Sequence, residues 1–274
     1  MAERDPAFQL RVLSAFALLP VALAMVVLGG WGFAGFVALG VAVIALEWGR
    51  LSALRFGRRS GWIAGGAVLL VGLTATLLMA SGRPEGAVVC LLGGALLSGA
   101  VAWVAGGRPF WTSLGVAYVG LPALSLIWLR AAPELGLSAL LWLLIVVWTT
   151  DTAAYFSGRA MGGPRLAPRI SPSKTWSGLC GGMLGAALTG ALTTWLLGSE
   201  RLLQAAGLGA VLAIVAQLGD LAESALKRAA QVKDSGSLIP GHGGLLDRVD
   251  GLLFAAPALA LLGLIAGPES LPWQ

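Results

Sequence analysis

Between Gln217 and Asp250 lie five of the chain's thirteen acidic residues, Asp220, Glu223, Asp234, Asp247 and Asp250, together with its one histidine, His242. In a sequence that is 57% hydrophobic and 11% charged, that concentration asks for a chemical reason. If Leu202 to Arg228 is one helix, Gln217, Asp220, Ser224 and Lys227 fall at i, i+3, i+7 and i+10, with Glu223 beside them on the same stripe. Asp247 and Asp250 repeat the i, i+3 spacing at the start of the next helix, after the glycine-rich turn Pro240 to Gly244. Paired carboxylates are hard oxygen ligands of the kind Mg²⁺ takes, one or two at a time, alongside waters and phosphates. Interleaved Lys227, Arg228, Lys233 and Arg248 suit phosphate oxygens. Gly243 and Gly244 let backbone N–H groups approach an anion at a helix start. A solvated, mixed-charge loop is the plainer alternative, disfavoured because charge beside hydrocarbon is costly without a purpose.

Two more segments carry polar groups where the surroundings are apolar. Trp148 to Gly163 places Asp151 inside a hydrophobic helix, with Tyr155 at i+4 and Arg159 at i+8 on one stripe. An ionisable group there is a functional candidate by default, with an Asp151 to Arg159 structural pairing as the alternative. The loop Pro164 to Thr175 ends in ISPSKTWSG, where Ser171, Ser173, Lys174 and Thr175 offer hydroxyls and an ammonium at a helix start. A Ser or Thr in such a place also serves as an ordinary N-cap.

Ser224 to Asp250, SALKRAAQVKDSGSLIPGHGGLLDRVD, resembles the signature of the phosphatidate cytidylyltransferases, or CDP-diacylglycerol synthases. Ser224, Lys227, Arg228, Lys233, Asp234, His242, Gly243, Gly244, Asp247, Arg248 and Asp250 fall on that pattern, and Gly219 to Ser224 agrees upstream. Asp151-Thr152-x-Ala154-Tyr155 with Gly158-Arg159, and Ser171-Pro172-x-Lys174-Thr175, are similar to two further segments of the family. Ser177 departs from it, standing where an acidic residue is common three positions after the lysine. The resemblance spans about Trp148 to Gly251.

What it implies is transfer of the cytidylyl group of CTP to phosphatidic acid, giving CDP-diacylglycerol and pyrophosphate. In that reading Asp220 and Asp247, with Glu223, hold Mg²⁺, leaving Mn²⁺ and a second cation open. Lys227, Arg228, Lys233, Asp234, Arg248 and Asp250 are the catalytic set. Asp151, Tyr155, Arg159, Ser171, Lys174, Thr175, Ser224, His242, Gly243 and Gly244 bind substrate. A lipid phosphate has its second pKa near 6 and arrives as an oxyanion, so His242 is read as a phosphate ligand or loop organiser rather than a base. Without the resemblance, clustered carboxylates and cations at a membrane surface suit metal-assisted phosphoryl or nucleotidyl transfer and do not choose the nucleotide. A CTP-dependent kinase of a polyprenol or other lipid alcohol is the near alternative. An ion-coupled transporter is a distant one, since it should gather charge at the midplane and show repeats.

The elements that must hold these residues are membrane helices. A mean hydropathy of +0.85 over 274 residues is that of an all-α, polytopic integral membrane protein. Nine apolar runs reach spanning length: Leu10–Leu28, Trp31–Trp48, Trp62–Ala80, Gly86–Ala105, Trp111–Leu129, Leu135–Phe156, Trp176–Leu197, Leu202–Lys227 and Gly251–Ala266. The first is read as an uncleaved helix because a second follows almost at once. Residues 1–130 form an N-terminal helical part and 131–274 the catalytic half. With nine spans, fifteen of the eighteen basic residues fall on the side of the N-terminus, which puts that end and the motif loops in the cytoplasm. The sequence pI of about 9.9 thus reports topology and attraction to anionic headgroups, not nucleic-acid binding. The partners are CTP, phosphatidic acid and membrane lipids, with a homodimer left open. Trp31, Trp48, Trp62, Trp111, Trp176 and Trp273 near run ends read as interfacial anchors. Glu47, in the second run, reads as snorkelling to the interface.

Overall fold

The computed structural model describes residues 18–133, 135–236, 243–267 and 271. Among these, nine helices form: α1 (Leu18–Leu28), α2 (Gly30–Phe56), α3 (Arg58–Ala80), α4 (Pro84–Val104), α5 (Pro109–Ala131), α6 (Gly136–Met161), α7 (Trp176–Leu196), α8 (Leu202–Ala229) and α9 (Leu246–Ala266). Helices α2 to α9 are long and apolar enough to cross a bilayer. Each matches one expected span. The other expected span, Leu10–Leu28, is described from Leu18 as α1, and its earlier part, like Arg4, Arg11 and Trp273, lies outside the described residues.

Large apolar side chains such as Leu70, Leu96, Leu203 and Ile265 are more than 70% exposed. Water would not tolerate so much of that surface, whereas lipid is its natural solvent. The protein is therefore an integral membrane protein.

Local chemistry sets the helix ends. Gly57, at φ +93°, separates α2 from α3, and Pro84 opens α4 at a position that needs no N–H. Thr175 is extended and its hydroxyl accepts a hydrogen bond from Gly178 N at 3.0 Å, so the ordinary capping role is present at the start of α7.

The chain divides into two compact units. The first comprises Met1–Ile127 and Leu226–Val249. Its core centres on Trp48, which is fully buried, stacked 5.1 Å from Trp111 and tilted 5.6 Å from Tyr118. Trp111 Nε1 donates to Ser52 Oγ at 2.6 Å, and that hydroxyl donates to the Trp48 carbonyl at 2.7 Å, which locks α2 onto α5. Trp48 is thus a core residue and not the interfacial anchor its place in the sequence suggests, whereas Trp31, Trp62 and Trp176 are exposed near helix starts.

The second unit comprises Trp128–Ala225 and Asp250–Gln274. Here α6 packs along α7, and the buried Trp142 Nε1 donates to the Gly190 carbonyl at 3.1 Å. The segment expected as loop contains an antiparallel hairpin, β1 (Arg165–Ala167) and β2 (Ser171–Thr175). It closes because Ile170 N donates to Ala167 O at 3.1 Å and Trp176 N donates to Pro164 O at 3.1 Å. The extended conformation that an N-cap demands of Thr175 is simply continued backwards as a strand.

Candidate active site

In the second unit, β2 delivers Lys174 to α8. Its side chain is 15% exposed, its ammonium is ion-paired with Asp220 Oδ2, and Ser224 Oγ, one turn on, lies 3.4 Å from Asp220 Oδ1. Asp220, Glu223 and Asp250 each place a carboxylate oxygen within 4.8 Å of the other two. Glu223 is 1% exposed. Asp151 on α6 lies within electrostatic reach of Asp220 and Lys174, and Asp250 within reach of all three.

The crossing of α8 and α9 makes this grouping. Gly219 sits where a Cβ would stand 2.5 Å from the Asp250 carbonyl oxygen, so only a glycine lets the two helices close at that level. Their neighbours Asp220 and Asp250 are thereby brought together. Two carboxylates within 4.8 Å repel by about 3.5 kcal/mol or more at an effective dielectric of about 20, a repulsion that a cation held between them would relieve. The donor set, three hard oxygens and no nitrogen or sulfur, fits a hard divalent cation.

A second constellation lies in the first unit. Lys227 Nζ donates to Asp247 Oδ1 at 2.6 Å, with the two side chains 15% and 6% exposed. Asp247 Oδ2 accepts from Ser235 N at 3.0 Å and Gly244 N at 2.9 Å, reaching back to the start of α9 as the acidic half of a capping box does. Glu47, on α2, is 5% exposed. Its Oε1 accepts from Leu245 N at 2.7 Å and its Oε2 from Leu246 N at 2.8 Å. Ser235 Oγ stands 2.9 Å from Asp247 Oδ2 and 3.0 Å from Glu47 Oε2, one hydroxyl proton between two carboxylates. Glu47 thus satisfies the N–H groups of Leu245 and Leu246 at the start of α9, and Asp247 that of Gly244 just before it, where the helix dipole also favours negative charge. Gly243 is at φ +82°, and a Cβ on Gly244 would stand 2.0 Å from Ser235 Oγ and 2.8 Å from both Glu47 oxygens. The paired glycines are what let the turn press onto this carboxylate.

Set against the sequence reading, Asp220 and Glu223 come together with Asp250, expected in the catalytic set, while Asp247, expected beside Asp220 on the cation, engages Lys227, Ser235 and Gly244. Arg159 Nη1 donates to the Tyr155 hydroxyl at 2.7 Å, so the stripe on α6 is joined, through Tyr155. Ser171 is buried at the start of β2, and Ser177 donates to the Gly162 carbonyl and lies 3.0 Å from Thr175 Oγ1. Lys233, Asp234 and Arg248 are exposed, and Arg228 Nη1 donates to Val232 O at 3.4 Å. His242 lies outside the described residues. Glu47 and Ser235 are the residues the sequence reading missed. For Glu47 the signal was present as a carboxylate in an apolar run, and snorkelling was the wrong account of it because the group is buried and hydrogen-bonded.

The profile of the cytidylyltransferase family matches residues 9–266. The chain is 42% identical over 268 residues to a phosphatidate cytidylyltransferase of Brucella suis, covering 96% of each protein. It is 40% identical over 274 residues to one of Pseudomonas aeruginosa, covering 94% of this chain and 97% of that one. To one of Bacillus subtilis it is 40% identical over 153 residues, 55% of this chain and 56% of that one. The likeness seen from Trp148 onward therefore extends through the first half.

Proposed function

The chain belongs to the cytidylyltransferase family, and on that premise we propose that it transfers the cytidylyl group of CTP to phosphatidic acid, giving CDP-diacylglycerol and pyrophosphate for phospholipid biosynthesis. The observation that carries the reading at the level of residues is the group Asp220, Glu223 and Asp250 with Lys174 at its edge.

In this reading those three carboxylates hold the divalent cation, Mg²⁺ with Mn²⁺ as a substitute. When bound, it supplies charge neutralisation for the triphosphate oxygens. The chain's own residues do the rest. Lys174, already drawn to Asp220, is placed to take a phosphate oxygen once the cation competes for that carboxylate. Lys227 is aimed by Asp247, and Asp247 is itself held by Ser235 and the turn at Gly244. Arg228, Lys233 and Arg248 neutralise the departing pyrophosphate, with Asp234 beside them. Asp151, Tyr155, Arg159, Ser171, Thr175 and Ser224 line or brace the substrate site, with Gly243 and Gly244 shaping the turn that His242 precedes.

A phosphatidate oxygen attacks the α-phosphorus, a new P–O bond forms, and the bond to the bridging oxygen breaks as pyrophosphate leaves. The attacking phosphate is ionised above a pH of about 6, so no side chain has to remove its proton. Positioning and charge compensation then account for most of the acceleration. The orientation that follows from the basic residues is an active site facing the cytoplasm from the cytoplasmic membrane.

The test is purified protein in detergent with CTP, phosphatidic acid and Mg²⁺, measuring pyrophosphate and CDP-lipid together. Equal amounts of the two are expected. Release of CDP with a phosphorylated polyprenol would replace this reading by the lipid-kinase one.

A further inference from the structure

A cavity of about 420 Å³ in the first unit belongs to neither constellation. Leu54, Arg55, Phe56 and Arg108 line it together with Ala229 to Gln231. Arg55 Nη1 donates to the Ala229 carbonyl at 2.5 Å, which fixes its guanidinium against the C-terminal end of α8, where carbonyls lack helical partners. The same guanidinium stands 5.0 Å from the centroid of Phe56 and 5.7 Å from that of Trp111. Arg108 stands 5.1 Å from the centroid of Phe56. Two cations are therefore held on one aromatic ring.

Arg55 has a structural task, capping α8, and its ring contacts orient it. The Arg108 guanidinium has only the ring: the residue's carbonyl accepts from Thr112 N at 2.9 Å, while its side chain makes no hydrogen bond or ion pair with any described residue. Among the described residues no carboxylate lines the cavity, and the next residues after Gly57 are Arg58 and Arg59, both exposed. A topological anchor needs positive charge near the membrane surface. It does not need two guanidiniums set on one ring at the mouth of a cavity. That arrangement costs mutual repulsion in the free protein and leaves planar donor groups pre-oriented for a tetrahedral oxyanion. The volume is within the range of small-molecule sites. Leu54, also in the lining, is exposed, so an apolar chain can lie beside a bound headgroup.

We propose that the Arg55–Arg108 cavity is a phosphate-binding site for an anionic ligand, supplied either as a phospholipid headgroup or as a soluble phosphate. Basic pockets between membrane helices are the usual seats of anionic headgroups.

The test is binding by the full chain in detergent, without CTP, so that its outcome is independent of the catalytic reading. The probes are dihexanoyl phosphatidylglycerol, dihexanoyl phosphatidylcholine and inorganic phosphate. Expected is salt-sensitive binding of phosphatidylglycerol over phosphatidylcholine, weakened about 10-fold or more in R55Q/R108Q, as loss of charge-assisted hydrogen bonds implies. Arg201→Gln, in another loop, should leave it unchanged. Binding of inorganic phosphate with equal sensitivity to the same variants would assign the soluble source. If the double variant does not fold, R108Q alone is read, because it gives up no hydrogen bond to a described residue. Affinity for both phosphatidylglycerol and phosphate within twofold of the parent in a folded variant would overturn the proposal.

Discussion

Replacing Glu47 by alanine removes three hydrogen bonds at once, from Leu245 N, Leu246 N and Ser235 Oγ. Leu246 is fully buried, so its N–H gains no water in exchange. A hydrogen bond to a charged group contributes about 1.5 to 3 kcal/mol and an orphaned buried donor costs about 1 to 3. Because the three share one carboxylate they do not add fully. A loss of about 3 to 5 kcal/mol in the order of the turn is the reasonable sum, similar to breaking a buried ion pair. Asp247, which shares Ser235 with Glu47, then loses its fixed orientation, and with it Lys227. At about 1.4 kcal/mol per factor of ten, turnover of CDP-diacylglycerol should fall on the order of 10² or more, in kcat more than in KM. Glu47→Gln keeps an oxygen that can face Leu246 N and Ser235 but turns an NH₂ toward Leu245 N, so its loss should be about tenfold. Amide hydrogen exchange of residues 244 to 248 should speed up in the same order, Ala above Gln above parent. An alanine variant with kcat within twofold of the parent and unchanged exchange at Leu245 and Leu246 would refute the clamp.

Asp220→Asn and Asp250→Asn should each lower turnover on the order of 10², the double variant should be far from additive, and Mn²⁺ binding followed by paramagnetic resonance should weaken in both; intact Mn²⁺ affinity would remove that residue from the cation site. Gly219→Ala must push α9 away from a Cβ that would stand 2.5 Å from Asp250 O, so it should cost about 1 to 3 kcal/mol of stability and separate the carboxylates; a parent-like melting temperature and activity would count against the crossing as described. Lys233→Cys, in a chain with Cys90 and Cys180 changed to alanine, should react with an impermeant thiol reagent only from the cytoplasmic side, and labelling from outside intact cells would reverse the orientation. His242→Gln, which keeps a hydrogen-bond donor but cannot titrate, should retain measurable turnover with His242→Ala worse through a higher KM for CTP; equal abolition of kcat by both would make the histidine a proton carrier.

Much of this protein is written in local periodicity, which survives without any knowledge of the fold. Spans α2 to α9 follow from apolar runs of spanning length, because a bilayer demands continuous helix through its core. That Asp220 and Glu223 work on one stripe of α8 follows from helical spacing alone, and Thr175 as the cap of α7 from its hydroxyl just before the run. The pairing of carboxylates across helices does not follow from spacing. Asp247 and Asp250 are three residues apart and look equivalent, yet Asp247 stands in the first turn of α9, where unpaired N–H groups draw its side chain back to Gly244. Asp250 stands where Gly219 lets α8 close on α9, and so joins Asp220 and Glu223. Which of two like residues joins the carboxylate group was decided by one backbone contact between helices, and backbone contacts carry no periodic signature. Glu47 shows the same limit at longer range: it acts on Leu245 across 198 residues, and only burial against that turn distinguishes it from a carboxylate reaching for the membrane surface.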